Sequence, residues 1–186
     1  MKRYFLFTYL AFFLADSESI AAKIENTEFQ DLFSVAGQHL KLNGLGLRKA
    51  TLFKVRVYAA GLYLMTPSQN SQAILNSPHP KVLVMKFLRD VSQQQINEAW
   101  EATFQKSTIK FAQELIQLKK IMPNAKKGDT LEYVFFNDKT EFRINKIVIE
   151  NMPSGEWGKA LLATWIGDNP PTEELKRGLL GIKDSN

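Results

Sequence analysis

The sequence contains no cysteine and, among its 186 residues, only two histidines, His39 and His79. The absence of cysteine excludes disulfides, thiolate nucleophiles and cysteine-ligated metals together. The two histidines lie far apart and belong to neither a His-x-x-x-His nor a His-x-His pair, so no metal site is predicted. We therefore expect a chain that needs no metal and no cofactor and is held together by its hydrophobic core.

The motifs of several enzyme classes are also missing. There is no Gly-x-Ser-x-Gly nucleophile elbow, although a triad assembled from distant residues stays open. The segment Gly44-Leu45-Gly46 lacks the third glycine and the Lys-Ser/Thr of phosphate-binding loops, and its glycines are interpreted as part of a turn. The net charge is +5, but basic pairs such as Lys119-Lys120 and Lys126-Lys127 are not interleaved with aromatic residues. No nucleic-acid partner is predicted.

One long apolar run is present, at the amino terminus. Lys2 and Arg3 precede an apolar stretch from Tyr4 to Ala15, and small residues follow it. This is the order of a secretory signal peptide, and the run is shorter than the ~20 residues of a membrane-spanning helix. No stop-transfer pattern comes later.

We therefore predict a signal peptide over residues 1–22, cleaved after Ala21 or Ala22, and one domain over residues 23–186. The mature protein is expected to be periplasmic or secreted, with no stable membrane insertion after cleavage. An uncleaved membrane anchor is the alternative.

The periodicity of the mature chain predicts an α+β fold with about six strands, mostly joined by hairpins. Strands are predicted at Phe33–Leu42, from near Ala50 to Ala60, at Lys81–Leu88, at Thr130–Phe136 and at Glu141–Ile149. Helices are predicted at Ser68–Leu75, between Ser92 and Pro123 with a break near Thr108-Ile109, at Gly155–Ile166 and at Glu173–Leu180. Asn43-Gly44 has the pattern of a hairpin turn, Gly61 of a bulge or close approach, and Ser92 with Gln95 of a capping box. Thr172 is predicted to cap the last helix and Gly181 to end it.

Four segments carry a resemblance to a known family, and they follow one another at plausible separations. They are LNGLGLR ending at Arg48, YAAGLYL starting at Tyr58, FLRDVS ending at Ser92, and WIGDNPPTEELK starting at Trp165. Together they resemble the chalcone isomerase-like family, in its secreted bacterial branch. The resemblance implies an open-faced β-sandwich, in which a large antiparallel sheet is covered by a layer of helices and a ligand cleft lies between them.

The resemblance also implies site residues. The family holds plant enzymes that close chalcones to flavanones, plastid fatty-acid-binding proteins and members without known chemistry. Arg48 occupies the place of the arginine that binds the substrate oxygen in the enzymes. Tyr58 stands where the enzymes use a threonine, and the fatty-acid-binding members have the same Arg and Tyr. Gln95 and Ala102 stand where the enzymes use a tyrosine and an asparagine, which favours binding over catalysis.

Arg48 and Tyr58 are the predicted ligand-binding residues, and no catalytic residue is predicted. A guanidinium offers a planar fork for two carboxylate oxygens, and a phenol adds one donor. The predicted function is non-catalytic binding of a fatty acid or similar amphipathic carboxylate in the cleft, with the tail against side chains such as Phe53, Trp100, Phe104 or Phe111. The alternatives are an isomerase or intramolecular lyase acting on a small phenolic or enone, and a protein-interaction module.

Purely structural roles compete with these assignments. Arg48 can be a turn arginine paired with a surface carboxylate, Tyr58 can simply pack its ring, and Arg56 is a competing anion partner on the same strand. Other residues are assigned structural roles outright: Arg89-Asp90 as an internal ion pair or cap, Trp157 and Trp165 as core, and Asp168–Pro171 as a stiff loop. Oligomeric state stays open.

Overall fold

The structure is a computed structural model that describes residues 20–50, 55–104 and 110–183. Within these ranges the strands are β1 Ile20–Ile24, β2 Thr27–Gln30, β3 Leu32–Val35, β4 Gln38–Ala50, β5 Val55–Leu64, β6 Lys81–Phe87, β7 Thr130–Phe135, β8 Lys139–Ile144 and β9 Ile147–Pro153. The helices are α1 Ser71–Asn76, α2 Gln93–Phe104, α3 Ala112–Ile121, α4 Glu156–Ile166 and α5 Glu173–Leu179.

Strands β3 to β9 form a seven-stranded sheet in which each strand pairs antiparallel with the next along the chain, while β1 and β2 form a separate hairpin. One face of the sheet packs against the helices and carries most of the core, including Leu62, Leu83 and Phe142. The other face holds a smaller cluster, in which Phe29 of the hairpin joins Tyr63 of the sheet. The predicted α+β, open-faced sandwich is confirmed.

The prediction of about six strands is wrong, because the described residues form nine. The additional strands come from tight turns in which both central residues have positive φ, namely Glu25-Asn26, Ala36-Gly37 and Asn145-Lys146. Such turns match the twist of the flanking strands. Two predicted single strands, Phe33–Leu42 and Glu141–Ile149, are therefore each divided in two.

The predicted hairpin turn at Asn43-Gly44 is also wrong, because β4 runs straight through it. The register of β4 against β5 shifts between Leu42 and Gly44, which makes Asn43 the extra residue of a bulge. Its side chain donates to the carbonyl oxygens of Ser68 at 3.1 Å and Leu179 at 2.8 Å, and it accepts the Ser68 N–H at 2.7 Å. The asparagine thus ties the strand to the segment before α1 and to the end of α5.

The bulge at Asn43 reverses the alternation of β4. Leu42 before it and Leu45 and Leu47 after it pack on the face opposite the helices. The residues between these leucines, Gly44 and Gly46, consequently face α5.

Both glycines are required by the close approach of α5. A Cβ at Gly44 would lie 2.6 Å from the Gly181 nitrogen and 2.9 Å from the Leu179 oxygen, and one at Gly46 would lie 2.5 Å from the Leu175 oxygen. Gly61, by contrast, does not break β5. A Cβ there would lie 2.8 Å from the Phe29 ring, so the close approach is that of the hairpin.

The predicted helix caps are confirmed. The Gln95 N–H donates to Ser92 Oγ at 3.2 Å while the Ser92 N–H donates to Gln95 Oε1 at 3.1 Å, which is a capping box. Thr172 Oγ1 accepts the Leu175 N–H at 3.2 Å at the start of α5, and Gly181 follows that helix with φ +65°. These caps are local in sequence, which is why the pattern predicts them.

Some predictions fall outside the described residues. Phe53, the Thr108-Ile109 break and nearly all of the predicted signal peptide are among them, so each stays a prediction. Ile20, Ala21 and Ala22, at the end of the predicted signal peptide, lie in β1. Among the helices of the described residues, none is long and apolar enough to cross a membrane.

Candidate ligand-binding cleft

A cavity of about 560 Å³ lies between the sheet and the helical layer. This volume is within the usual range of small-molecule sites. Strands β4 to β7 form one wall, and α2, the end of α4 and the loop after α4 form the other. The lining includes Arg48, Val57, Tyr58, Arg89, Gln95, Trp100, Ala102, Tyr133, Trp165, Asn169, Pro170 and Pro171.

The sheet register places the predicted ligand-binding residues side by side. Arg48 of β4 pairs with Tyr58 of β5, and Tyr58 pairs in turn with Phe87 of β6. Paired residues of an antiparallel sheet project to the same face, so the three side chains form one row across the cleft wall. The register shifts again immediately beyond this row, since Lys49 pairs with Arg56, and Val57 is turned toward the cavity.

Tyr58 is buried, with 8% of its surface exposed. Its hydroxyl oxygen accepts a hydrogen bond from Trp165 Nε1 at 3.2 Å. Burial raises the pKa of the phenol to about 12, against the opposing effects of the Trp165 hydrogen bond and the Arg48 charge. Tyr58 is therefore a neutral donor at physiological pH. Among the described residues, none accepts its hydroxyl proton.

Arg48 is partly exposed on the cleft wall. Its Nη1 donates to the Lys49 carbonyl oxygen, and it forms no ion pair with a carboxylate of the described residues. The surface carboxylate nearby, Glu174, is instead bound by Lys49 at 2.7 Å. The remaining guanidinium donors of Arg48 thus have no protein anion as a partner in the described part of the chain.

Arg56, the competing anion partner, is not part of the cleft wall. Its Nη1 lies 3.0 Å from Glu25 Oε2 in an exposed ion pair. The structure therefore separates the two arginines of this sheet corner, one facing the cavity and one bound to the hairpin.

The base of the cavity is aromatic. The Trp165 ring lies 5.4 Å from Trp100 in a T-shaped contact and 5.0 Å from Tyr133. Of the side chains suggested as contacts for an acyl tail, Trp100 lines the cavity. Phe104 and Phe111 do not, and pack against Trp157 with centroid distances of 5.3 and 5.6 Å.

Gln95 and Ala102 of α2 both lie on the cavity wall. These are the positions at which the resemblance implies a tyrosine and an asparagine in the enzymes. The Gln95 amide oxygen is occupied by the capping box, and Ala102 has no polar group. The wall formed by α2 accordingly presents little acid, base or hydroxyl chemistry at these two points.

Sequence reasoning missed several cleft residues. The predicted ion pair or cap at Arg89-Asp90 is wrong, because the Asp90 carboxylate binds Lys126 Nζ at 3.0 Å and accepts the Lys127 N–H at 2.9 Å, while Ser92 caps α2. Arg89 Nε donates to the Asp90 carbonyl oxygen at 3.1 Å, and its side chain lines the cavity. Arg89 lies in the bend after β6, so no strand periodicity in the sequence marks it as a cavity residue.

The other missed residues come from the carboxyl-terminal segment. Trp165 is in the core, as predicted, but it also holds the Tyr58 hydroxyl and lines the cavity. The loop after α4, interpreted as purely structural, contributes Asn169, Pro170 and Pro171 to the wall. Nothing in the local pattern of that loop indicates that it lies beside α2.

The cavity wall carries positive charge without a compensating negative one. Among the residues that the structure describes, its charged members are Arg48 and Arg89, and none is an aspartate or glutamate. No group of three or more metal-ligating side chains is found within the described ranges. The arrangement can bind an anion by hydrogen bonds while an apolar portion packs on the aromatic base.

The fold is thus a curled antiparallel sheet covered by helices. A largely apolar cleft lies between the two layers, with an arginine and a tyrosine on its wall. The family model described as chalcone isomerase-like matches residues 21–181. The chain belongs to the chalcone isomerase-like family, which confirms the resemblance inferred from its sequence.

Among solved structures, the chain is similar to a crystal structure of a fatty-acid binding protein from Arabidopsis thaliana. The TM-score is 0.71 at 12% sequence identity, and the alignment covers 87% of this chain and 96% of the plant protein. At this identity the likeness shows the shared fold. A search of curated protein sequences gives no match.

Proposed function

We propose that this protein is a non-catalytic binder of a fatty acid or similar amphipathic carboxylate. One observation carries the proposal. The Tyr58 hydroxyl is held by Trp165 as an acceptor, so its proton can be donated into the cleft beside the Arg48 guanidinium, which has no carboxylate partner among the described residues. A carboxylate fits this pair, because the guanidinium can bind two oxygens and the phenol adds a third hydrogen bond.

The rest of the cleft suits an aliphatic chain. Aromatic and aliphatic side chains make up most of the wall, with a smaller number of polar groups among them, as is usual for sites that bind small molecules. The fatty-acid binding protein from Arabidopsis thaliana, which shares the fold, adds support from a relative. Gln95 and Ala102, in place of the enzymes' hydrogen-bonding residues, favour binding over catalysis.

We also propose that the protein acts in the periplasm or outside the cell. The support is the amino-terminal order of basic, apolar and small residues. Amino-terminal sequencing of the protein purified from cell fractions tests this proposal. A periplasmic chain beginning at Ala22 or Lys23 is expected, and a cytoplasmic chain that retains residue 1 would contradict it.

The ligand proposal is tested by calorimetric titration of the mature protein with dodecanoate. Arg48→Ala removes the charged donor and is expected to weaken binding about 10- to 100-fold, since a hydrogen bond to a charged group contributes about 1.5–3 kcal/mol. Tyr58→Phe should weaken it about 2- to 10-fold. Arg56→Ala is the matched control, because it removes an arginine of the same sheet corner that is bound to Glu25 outside the cleft.

Two results would overturn the proposal. Equal affinities for dodecanoate in the Arg48→Ala and Arg56→Ala variants would show that the cleft arginine is not the anchor. Turnover of a chalcone or another enone that depends on Arg48 would favour the isomerase alternative. Native mass spectrometry of protein isolated from its own compartment adds an independent readout, in which a bound acyl ligand is expected.

A further inference from the structure

We infer that the cleft is built for an amphiphile whose head group carries two negative charges, such as a phosphate monoester on a single aliphatic chain, with Arg48 and Arg89 binding that head group together. The inference rests on the proposed function only for the location of the aliphatic chain. It assigns a binding role to Arg89 and replaces the carboxylate head group of the proposed ligand by a doubly charged one.

Both arginines line the cavity, Arg48 from β4 and Arg89 from the exposed bend that follows β6. Arg48, Tyr58 and Phe87 form a row across three strands, and strands are spaced by about 4.8 Å, so the Arg48 and Phe87 Cα atoms are about 10 Å apart. Arg89 follows Phe87 by two residues and also lines the cavity. Two long side chains reaching inward from this separation can meet at one anion, with Tyr58 between them.

The charges around these arginines leave both available. Asp90, the acidic neighbour of Arg89, is bound by Lys126 and by the Lys127 backbone. Glu174, the acidic residue near Arg48, is bound by Lys49. Within the described ranges neither arginine forms an ion pair, and no aspartate or glutamate lines the cavity. A single carboxylate would neutralise only half of this charge.

The number of donors leads to the same class of ligand. Arg48 uses Nη1 and Arg89 uses Nε on backbone carbonyls, and each guanidinium keeps further N–H groups. With the Tyr58 hydroxyl, the site offers more donors than the two oxygens of a carboxylate require. A phosphate monoester presents three acceptor oxygens and a charge of about −1.5 to −2 at neutral pH.

The test compares dodecyl phosphate with dodecanoate, which share the chain length and differ in the head group, by calorimetric titration of the mature protein. The wild type is expected to bind dodecyl phosphate at least about 10-fold more tightly at about pH 7.5, because one more charged hydrogen-bonded pair forms. Arg89→Gln is expected to abolish this preference while changing the dodecanoate affinity by less than about threefold. Arg56→Gln is the matched control and should keep the preference.

The pH dependence is a second readout that a loss of folding cannot imitate. The second pKa of a phosphate monoester is about 6, so lowering the pH from about 7.5 to about 5.5 removes most of its second charge. The affinity of the wild type for dodecyl phosphate should fall over this interval, and that of Arg89→Gln should change little. Inorganic phosphate competes only if the head group alone suffices, and weak competition is expected because the chain contributes to binding.

The outcomes separate this inference from the proposed function. Binding of dodecanoate that depends on Arg48, without any preference for dodecyl phosphate, would overturn the inference and leave the proposed function intact. A phosphate preference that depends on Arg89, with no measurable binding of dodecanoate, would support the inference and overturn the carboxylate proposal. Failure of the wild type to bind either amphiphile would overturn both.

Discussion

Replacing Gly44 by alanine is expected to destabilise the protein more than any ordinary glycine-to-alanine change in a strand. The added Cβ would overlap the Gly178 carbonyl oxygen and would lie 2.6 Å from the Gly181 nitrogen and 2.9 Å from the Leu179 oxygen. All three contacts are backbone atoms of α5 and its end, so no side-chain rotation can relieve them. The helix itself has to move away from β4.

The loss in the free energy of unfolding caused by Gly44→Ala follows from two opposing effects. Overpacking of a well-packed site costs about 1–3 kcal/mol, and contacts with fixed backbone place Gly44→Ala at the upper end, about 3 kcal/mol. Alanine reduces the conformational entropy of the unfolded chain, which offsets about 0.4–1 kcal/mol. A net loss of about 2–3 kcal/mol is expected, which corresponds to a lowering of Tm by about 4–12 °C for a domain of this size.

The measurement is urea denaturation followed by tryptophan fluorescence, with Gly61→Ala as the matched control. Gly61 lies on the next strand, and a Cβ added there would lie 2.8 Å from the Phe29 ring. This ring belongs to a side chain of the hairpin, which can shift at lower cost than the backbone of a helix. Gly44→Ala should therefore be the less stable variant by at least about 1 kcal/mol. Equal stabilities of the two variants would refute the conclusion that the α5 backbone packs rigidly against β4.

Two further predictions concern pH and the bulge. Because burial raises the pKa of Tyr58 from 10.0 to about 12, the folded state holds the proton more tightly, so stability is full below pH 10 and falls as the pH rises toward 12. In urea titrations, Tyr58→Phe should reduce the loss of unfolding free energy between pH 10 and 12 by up to about 2.7 kcal/mol. An unchanged dependence of the unfolding free energy on pH would contradict this. Asn43→Ala removes three hydrogen bonds to partly buried groups and should cost about 2–3 kcal/mol. Asn70→Ala, which removes only the exposed cap of α1, should cost about 1 kcal/mol. Similar losses for both asparagines would contradict the conclusion that the Asn43 hydrogen bonds stabilise the contact of β4 with α5.

Sequence patterns predicted the features that depend on neighbouring residues. The caps at Ser92 and Thr172 were predictable because their donors and acceptors lie within three residues of each other. The tight turns at Glu25-Asn26 and Asn145-Lys146 were not, because non-glycine residues adopt positive φ there without a glycine to mark the turn.

Only some of the residues that line the cleft were predictable, because the others are brought there by contacts between distant parts of the chain. Arg48 and Tyr58 were found through the family resemblance of the two strands that carry them. Arg89 was missed because its role depends on three strands being in register and on Asp90 being taken by Lys126. Such long-range arrangements leave no periodic signal in a single sequence.

The bulge at Asn43 shifts the alternation of side chains along β4 by one residue. If Asn43 instead paired within the ladder as an ordinary residue, every side chain from Gly44 onward would project from the other side of the sheet, and Arg48 would leave the cleft. Deleting Asn43, by contrast, would join Leu42 to Gly44 in unbroken alternation and would keep Arg48 on the cleft face, at the cost of the hydrogen bonds to Ser68 and Leu179. A transplant of this cleft into another scaffold can therefore omit the extra residue, but a one-residue deletion between Gly44 and Arg48 would turn the arginine to the other face.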